Sequence, residues 1–178
     1  MTSNSTTKIK TVPDNYTAVT PWIITASTEK TINFLTDVFG AEEIPNSRIT
    51  KENGIVIHAV VKYRDAMLML FDWRKGWGPT PAFLNFYVED VEEALQRAVQ
   101  AGATVVTNIT SLWFGEKVCR ILDPFGNLFW INEKIEDVDL TNSAEVSKRA
   151  TSPAAIEGIA YIQSSLDNAL KMQAWVAR

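Results

Sequence analysis

The chain of 178 residues carries one imidazole, His58, and one thiol, Cys119. A histidine with a reference pKa of about 6.5 can act as a base or as a hydrogen-bond donor near neutrality. The usual alternative for a lone strand histidine is a hydrogen-bonded structural residue. No carboxylate stands at a telling spacing from it; Asp72, at the far end of the next strand, is the candidate partner. Cys119 sits in EKVCRIL (116–122) with no base placed to activate it, so it reads as a small strand residue. One cysteine forms no intrachain disulfide and no cysteine zinc cluster. Glycine-rich phosphate loops, Gly-x-Ser-x-Gly elbows and His-Glu-x-x-His helices are absent from the sequence. Arg120 has two readings, an anion contact or a charge that solvates a strand edge. Aromatic side chains are the commoner resource, with 6 Trp and 8 Phe.

Composition narrows the partners. Lys+Arg number 17 against Asp+Glu 21, a formal charge of -4, which argues against a broad phosphate-binding surface and so against nucleic acid. No apolar run approaches the roughly 20 residues of a bilayer span. The start, MTSNSTTKIK, lacks the apolar centre of an export signal, so a cytoplasmic location is expected.

The elements that position these residues follow from periodicity and caps. Residues 1–14 read as a flexible tail. YTAVTPWIIT (16–25) is extended and apolar. Ser27 or Thr28 caps a helix whose apolar positions Ile32, Leu35, Val38 and Phe39 share one face, and Gly40 stops it. A short strand is expected near 41–49, then a hairpin of 55–63 and 66–72 with its turn at Arg64-Asp65. WRKGWGPTP (73–81) is a loop. The same order then returns. FLNFYV (83–88) alternates as a strand, and Asp90 with Glu93 forms a capping box. Val91, Ala94, Leu95, Ala98 and Val99 form an apolar stripe that ends at Gly102. Strands are expected at 103–108, 116–122 and 128–132, the last two joined by the Asp-Pro-Phe-Gly turn. FGAEEIPN (39–46) and AGATVVTN (101–108) mark a repeat of about 60 residues. Strand–helix–strand–strand–strand therefore occurs twice, over 15–78 and 79–139. Residues 140–178 read as a linker and an amphipathic helix begun by Ser152-Pro153. Its face of Ile156, Ile159, Ile162, Leu166 and Leu170 must be buried, on its own sheet or on a second copy.

This ordered set of words resembles the vicinal oxygen chelate superfamily, which holds glyoxalase I, bleomycin-resistance proteins and extradiol dioxygenases, and within it the PhnB-like branch. The resemblance is carried by YTAVTPW (16–22), FGAEE (39–43), His58-Ala59, MLML (67–70), YVEDV (87–91), AGATVV (101–106) and DPFGN (123–127). It covers residues 12–139. It implies an α+β fold in which two βαβββ modules form a cupped mixed sheet around a cleft, followed here by a C-terminal helix. Family members that use a metal take ligands from the first and last strand of each module. Those positions fall here on Thr20, Met69, Phe83 and Trp130. A thioether, two aromatic rings and one hydroxyl make a poor set for a hard divalent ion. No cofactor is therefore expected; the metal alternative is a shifted site using His58 with Asp72 or Glu116.

Alternation along the strands sends Thr20, Trp22, His58, Met69 and Phe71 of the first module into the cleft. From the second module come Phe83, Asn85 and Trp130, with Arg120 beside them and Trp113 at the rim. Such faces bind planar or cationic molecules. The expected function is metal-free binding of a small, planar or aromatic organic molecule by a homodimer. A lyase, isomerase or dioxygenase of the same superfamily is the enzyme alternative. A structural or regulatory dimer working through its C-terminal helix is the third.

Overall fold

In the computed structural model, residues 9–77 and 80–172 are described. The first module runs β1 (Trp22–Thr25), α1 (Thr28–Phe39), β2 (Glu42–Glu43), β3 (Ile49–Thr50), β4 (Val56–Tyr63) and β5 (Ala66–Asp72). The second runs β6 (Phe83–Val88), α2 (Val91–Gln100), β7 (Thr104–Leu112), β8 (Glu116–Leu122) and β9 (Leu128–Lys134). Two helices follow, α3 (Ser143–Ala150) and α4 (Pro153–Met172). No helix among the described residues is long and apolar enough to cross a membrane.

Each module builds its own mixed sheet with the same plan. The orders are β1-β5-β4-β2, with β3 also on β4, and β6-β9-β8-β7. In each, the first strand lies parallel to the last, β1 on β5 and β6 on β9. The repeat extends to single atoms. Asp72, ending β5, accepts from the backbone N–H of Thr28 at 2.6 Å, and Glu133, near the end of β9, accepts from that of Val91 at 3.0 Å. Each carboxylate thus satisfies an orphan donor at a helix start and favours the helix dipole. Ser27 and Asp90 cap these same helices. Gly40 and Gly102, at φ 70° and 91°, end them in the left-handed conformation that other residues resist.

The two modules share one core on their helix sides. Ile23, Leu35 and Leu70 of the first and Ile121, Phe129 and Ile131 of the second belong to one buried cluster. Phe39 stacks on Phe86 with centroids 4.1 Å apart and planes 6° from parallel, so an aromatic contact ties α1 to the second sheet. Cys119 lies in this core, and burial pushes its thiol up to about 12. That environment suits a packed thiol, not a nucleophile.

Strands β7 and β9 run on to Leu112 and Lys134, past the expected 108 and 132, and three further differences bear on the site. The first strand starts at Trp22 instead of Tyr16, because Pro21 has no N–H to donate; its carbonyl still receives the Met69 N–H at 3.0 Å. Thr20 therefore stands outside β1. The strand expected near 41–49 splits into β2 and β3 around a turn in which Asn46 takes φ 60°. The stretch read as a linker holds α3, capped by Asn142 and tied down by Arg149, whose guanidinium donates to both Glu145 and Glu136.

Candidate functional site

The open face of the first sheet gathers aromatic groups. Trp22 lies 5.8 Å from His58 and 5.4 Å, edge-on, from Phe71. Phe71 in turn meets Trp77 edge-on at 5.9 Å. The pairing of Ala59 with Leu70 puts His58 opposite Phe71, as the two-residue turn required. Asp72, the one candidate to orient His58, is instead held by two backbone donors, Thr28 N and Val56 N. Met69 is half-buried and lines a separate hollow with Thr20, Tyr16 and the tail residues Thr11 to Pro13. The part of the tail from Thr11 onward therefore covers one end of this sheet. Met67 is buried as core.

The open face of the second sheet holds the more developed site. Alternation works as expected on β6: Phe86 is buried beneath the helices, whereas Phe83 is 58% exposed on the other face. Register places Asn85, Trp130 and Arg120 in one row across β6, β9 and β8. Phe83 and Trp130 lie 6.2 Å apart and tilted. With Leu84, Asn85 and Asn132 they line a hollow of about 300 Å³. Trp113, expected at the rim, stands instead at the β7–β8 turn, edge-on to Phe114 at 5.4 Å, and is not among those lining residues.

Arg120 is the least expected member. It is 2% exposed, and its guanidinium carbon sits 3.6 Å from the centre of the Trp130 ring. Its Nη1 donates to the Thr107 hydroxyl at 3.2 Å and to the Ile162 carbonyl of α4. It forms no ion pair among the described residues. Burial alone lowers it to about 10, which leaves it cationic at neutral pH. Arg120 Nε, Trp130 Nε1 and Asn132 Oδ1 are buried and find no hydrogen-bond partner among the described residues. Further along β8, outside this row, Glu116 accepts from the Tyr87 phenol at 3.2 Å and from the Asn132 amide at 2.6 Å. Burial first, and Glu116 second, push the Tyr87 phenol above its ordinary value.

Helix α4 covers Arg120. Ala155, Gly158, Ile162 and Ala169 are its buried positions among the described residues. Ile159 and Ile162 pack with Leu112, Val118, Phe114 and Trp130. Gly158 lets the helix approach closely: a Cβ there would lie 3.5 Å from the Ser111 carbonyl. The helix thus docks on its own chain. This is the first of the two alternatives that the sequence left open, but the contact runs through small residues at 155, 158, 165 and 169 that the hydrophobic stripe did not select.

The residues at the family's metal positions do come together in pairs, Thr20 with Met69 and Phe83 with Trp130. Neither pair fits a hard divalent ion, since they offer one hydroxyl, one soft thioether and two rings. The shifted alternative is divided between sheets, His58 on β4 and Glu116 on β8. Asp90, Glu92 and Glu133 approach one another within 4.8 Å. Asp90 and Glu133 are engaged by backbone donors of α2, and Glu92 by Lys117.

Comparison with known proteins places this geometry. The family model described as the Glyoxalase/Bleomycin resistance protein/Dioxygenase superfamily matches residues 15–131. An uncharacterized protein of Mycobacterium tuberculosis is 28% identical over 134 residues, covering 69% of this chain and 78% of that protein. Among solved structures, TioX from Micromonospora sp. ML1 is similar with a TM-score of 0.54 and 20% identity, over 65% of this chain and 97% of that one. The fosfomycin resistance protein FosX of Listeria monocytogenes is similar with a TM-score of 0.52 and 17% identity, over 69% and 93%. At these identities the two structures speak for the fold alone.

Proposed function

We propose that this chain, which belongs to the Glyoxalase/Bleomycin resistance protein/Dioxygenase superfamily, binds a small planar organic molecule on the face of Trp130 and does so without a divalent ion. The observation that carries this reading is the Phe83–Trp130 pair. Two aromatic rings, one of them 58% exposed, occupy the corner where the superfamily resemblance would put two ion ligands. A planar ring entering the hollow gains stacking or edge contacts of roughly 0.5–1.5 kcal/mol each beyond its area burial. Arg120 behind the indole fixes the floor of the hollow, so little ordering is left for the ligand to impose.

The PhnB-like placement and the homodimer belong to the same proposal. The exposure of Trp22, Trp73 and Trp77, at 47%, 45% and 41%, supports a second copy meeting the first sheet. A cytoplasmic site of action is the expectation retained from the sequence.

Intrinsic fluorescence provides the test. Titration with a panel of planar aromatic compounds is expected to quench tryptophan emission saturably, with no compound consumed. Consumption of a compound would favour the enzyme alternative. A flat titration across the whole panel would overturn the binding reading.

A further inference from the structure

The hollow is electrically asymmetric, and that asymmetry points to the charge of its ligand. Arg120 is a buried cation without an acidic partner among the described residues, which is costly in a folded protein unless the charge has a use. Its guanidinium lies 3.6 Å from the centre of the Trp130 ring, which lines the hollow with Phe83, Leu84, Asn85 and Asn132, whereas Arg120 itself does not. Two donors in this row, Arg120 Nε and Trp130 Nε1, are buried and unpartnered. Glu116, the acid on the same sheet face, lies further along β8 outside this row and is engaged by Tyr87 and Asn132. The cation–π capacity of Trp130 is already used on one side by Arg120, which disfavours a cationic ligand on the other.

We infer that the ligand is a planar organic oxyanion, its ring on Trp130 and its charge answered by the Arg120 guanidinium across that ring. The inference rests on the binding reading above and adds the charge of the ligand to it. The guanidinium acts through a low-dielectric path across the indole, so removal of its charge, not of its shape, is what matters.

A matched pair of probes, naphthoate and the neutral naphthamide, separates charge from ring. A unit charge held about 7 Å away at an effective dielectric near 20 favours the carboxylate on the order of 50-fold. Wild-type protein is expected to show that preference, Arg120→Lys to keep most of it, and Arg120→Met to lose it. Replacing a buried unpaired charge by an apolar side chain is usually tolerated. Should Arg120→Met not fold, the wild-type comparison alone still decides. Equal affinity of the wild type for both probes would overturn the inference while leaving the aromatic hollow standing. Failure of both probes to bind would overturn the hollow and the inference together.

Discussion

Truncating Phe86 to Ala is expected to destabilise the protein by about 3–5 kcal/mol, because the ring fills the junction between the two modules. It is 3% exposed, stacks on Phe39 at 4.1 Å and meets Phe129 and Tyr63 edge-on at 5.3 and 5.4 Å. At roughly 2–4 °C per kcal/mol for a domain of this size, the thermal midpoint falls by about 10 °C. Phe83, three residues earlier on the same strand, is the internal control. It faces outward, so Phe83→Ala should change stability by less than about 0.5 kcal/mol while weakening ligand binding. Thermal unfolding of both variants, followed by circular dichroism, checks the pair. A mild Phe86→Ala and a severe Phe83→Ala would mean that the two faces of β6 are reversed.

Replacing Trp130 by Ala is expected to weaken binding of a planar ligand about 100-fold, the loss of two or three contacts of 0.5–2 kcal/mol each. The same change removes the π partner of Arg120 and trims the contact with α4, at a stability cost of about 2 kcal/mol. The fold should survive that cost, and binding is best measured well below the transition. Trp130→Phe retains a flat apolar face and should recover affinity to within about tenfold of the wild type. Wild-type affinity in Trp130→Ala would mean that the ligand sits elsewhere.

Much of this architecture is legible in the chain before folding is considered. Strand alternation sorted Phe83 from Phe86, and the caps Ser27 and Asp90 located both helices, because these signals depend on neighbours a few residues away. The two-residue turn after Tyr63 placed His58 opposite Phe71 for the same reason. What local pattern could not supply is the outcome of long-range contacts. Hydrophobicity alone selects Ile156 and Leu170 for the buried side of α4, yet they are 59% and 47% exposed. Close approach to β7 favours Ala155, Gly158 and Ala169, whose small size a hydrophobic stripe does not register. Arg120 was ambiguous for the same cause: its burial depends on a carbonyl 42 residues away. The division of the 41–49 segment into β2 and β3 turns on the left-handed Asn46, a conformation its type permits without announcing.

The claim that binding here is aromatic and independent of an ion is tested most directly by one measurement. Purified protein is dialysed against a chelator, analysed for bound metals, and titrated with a planar ligand before and after adding divalent ions. The account predicts no stoichiometric metal and the same affinity in every sample. Loss of binding after chelation, restored by one divalent ion at one equivalent per chain, would contradict it.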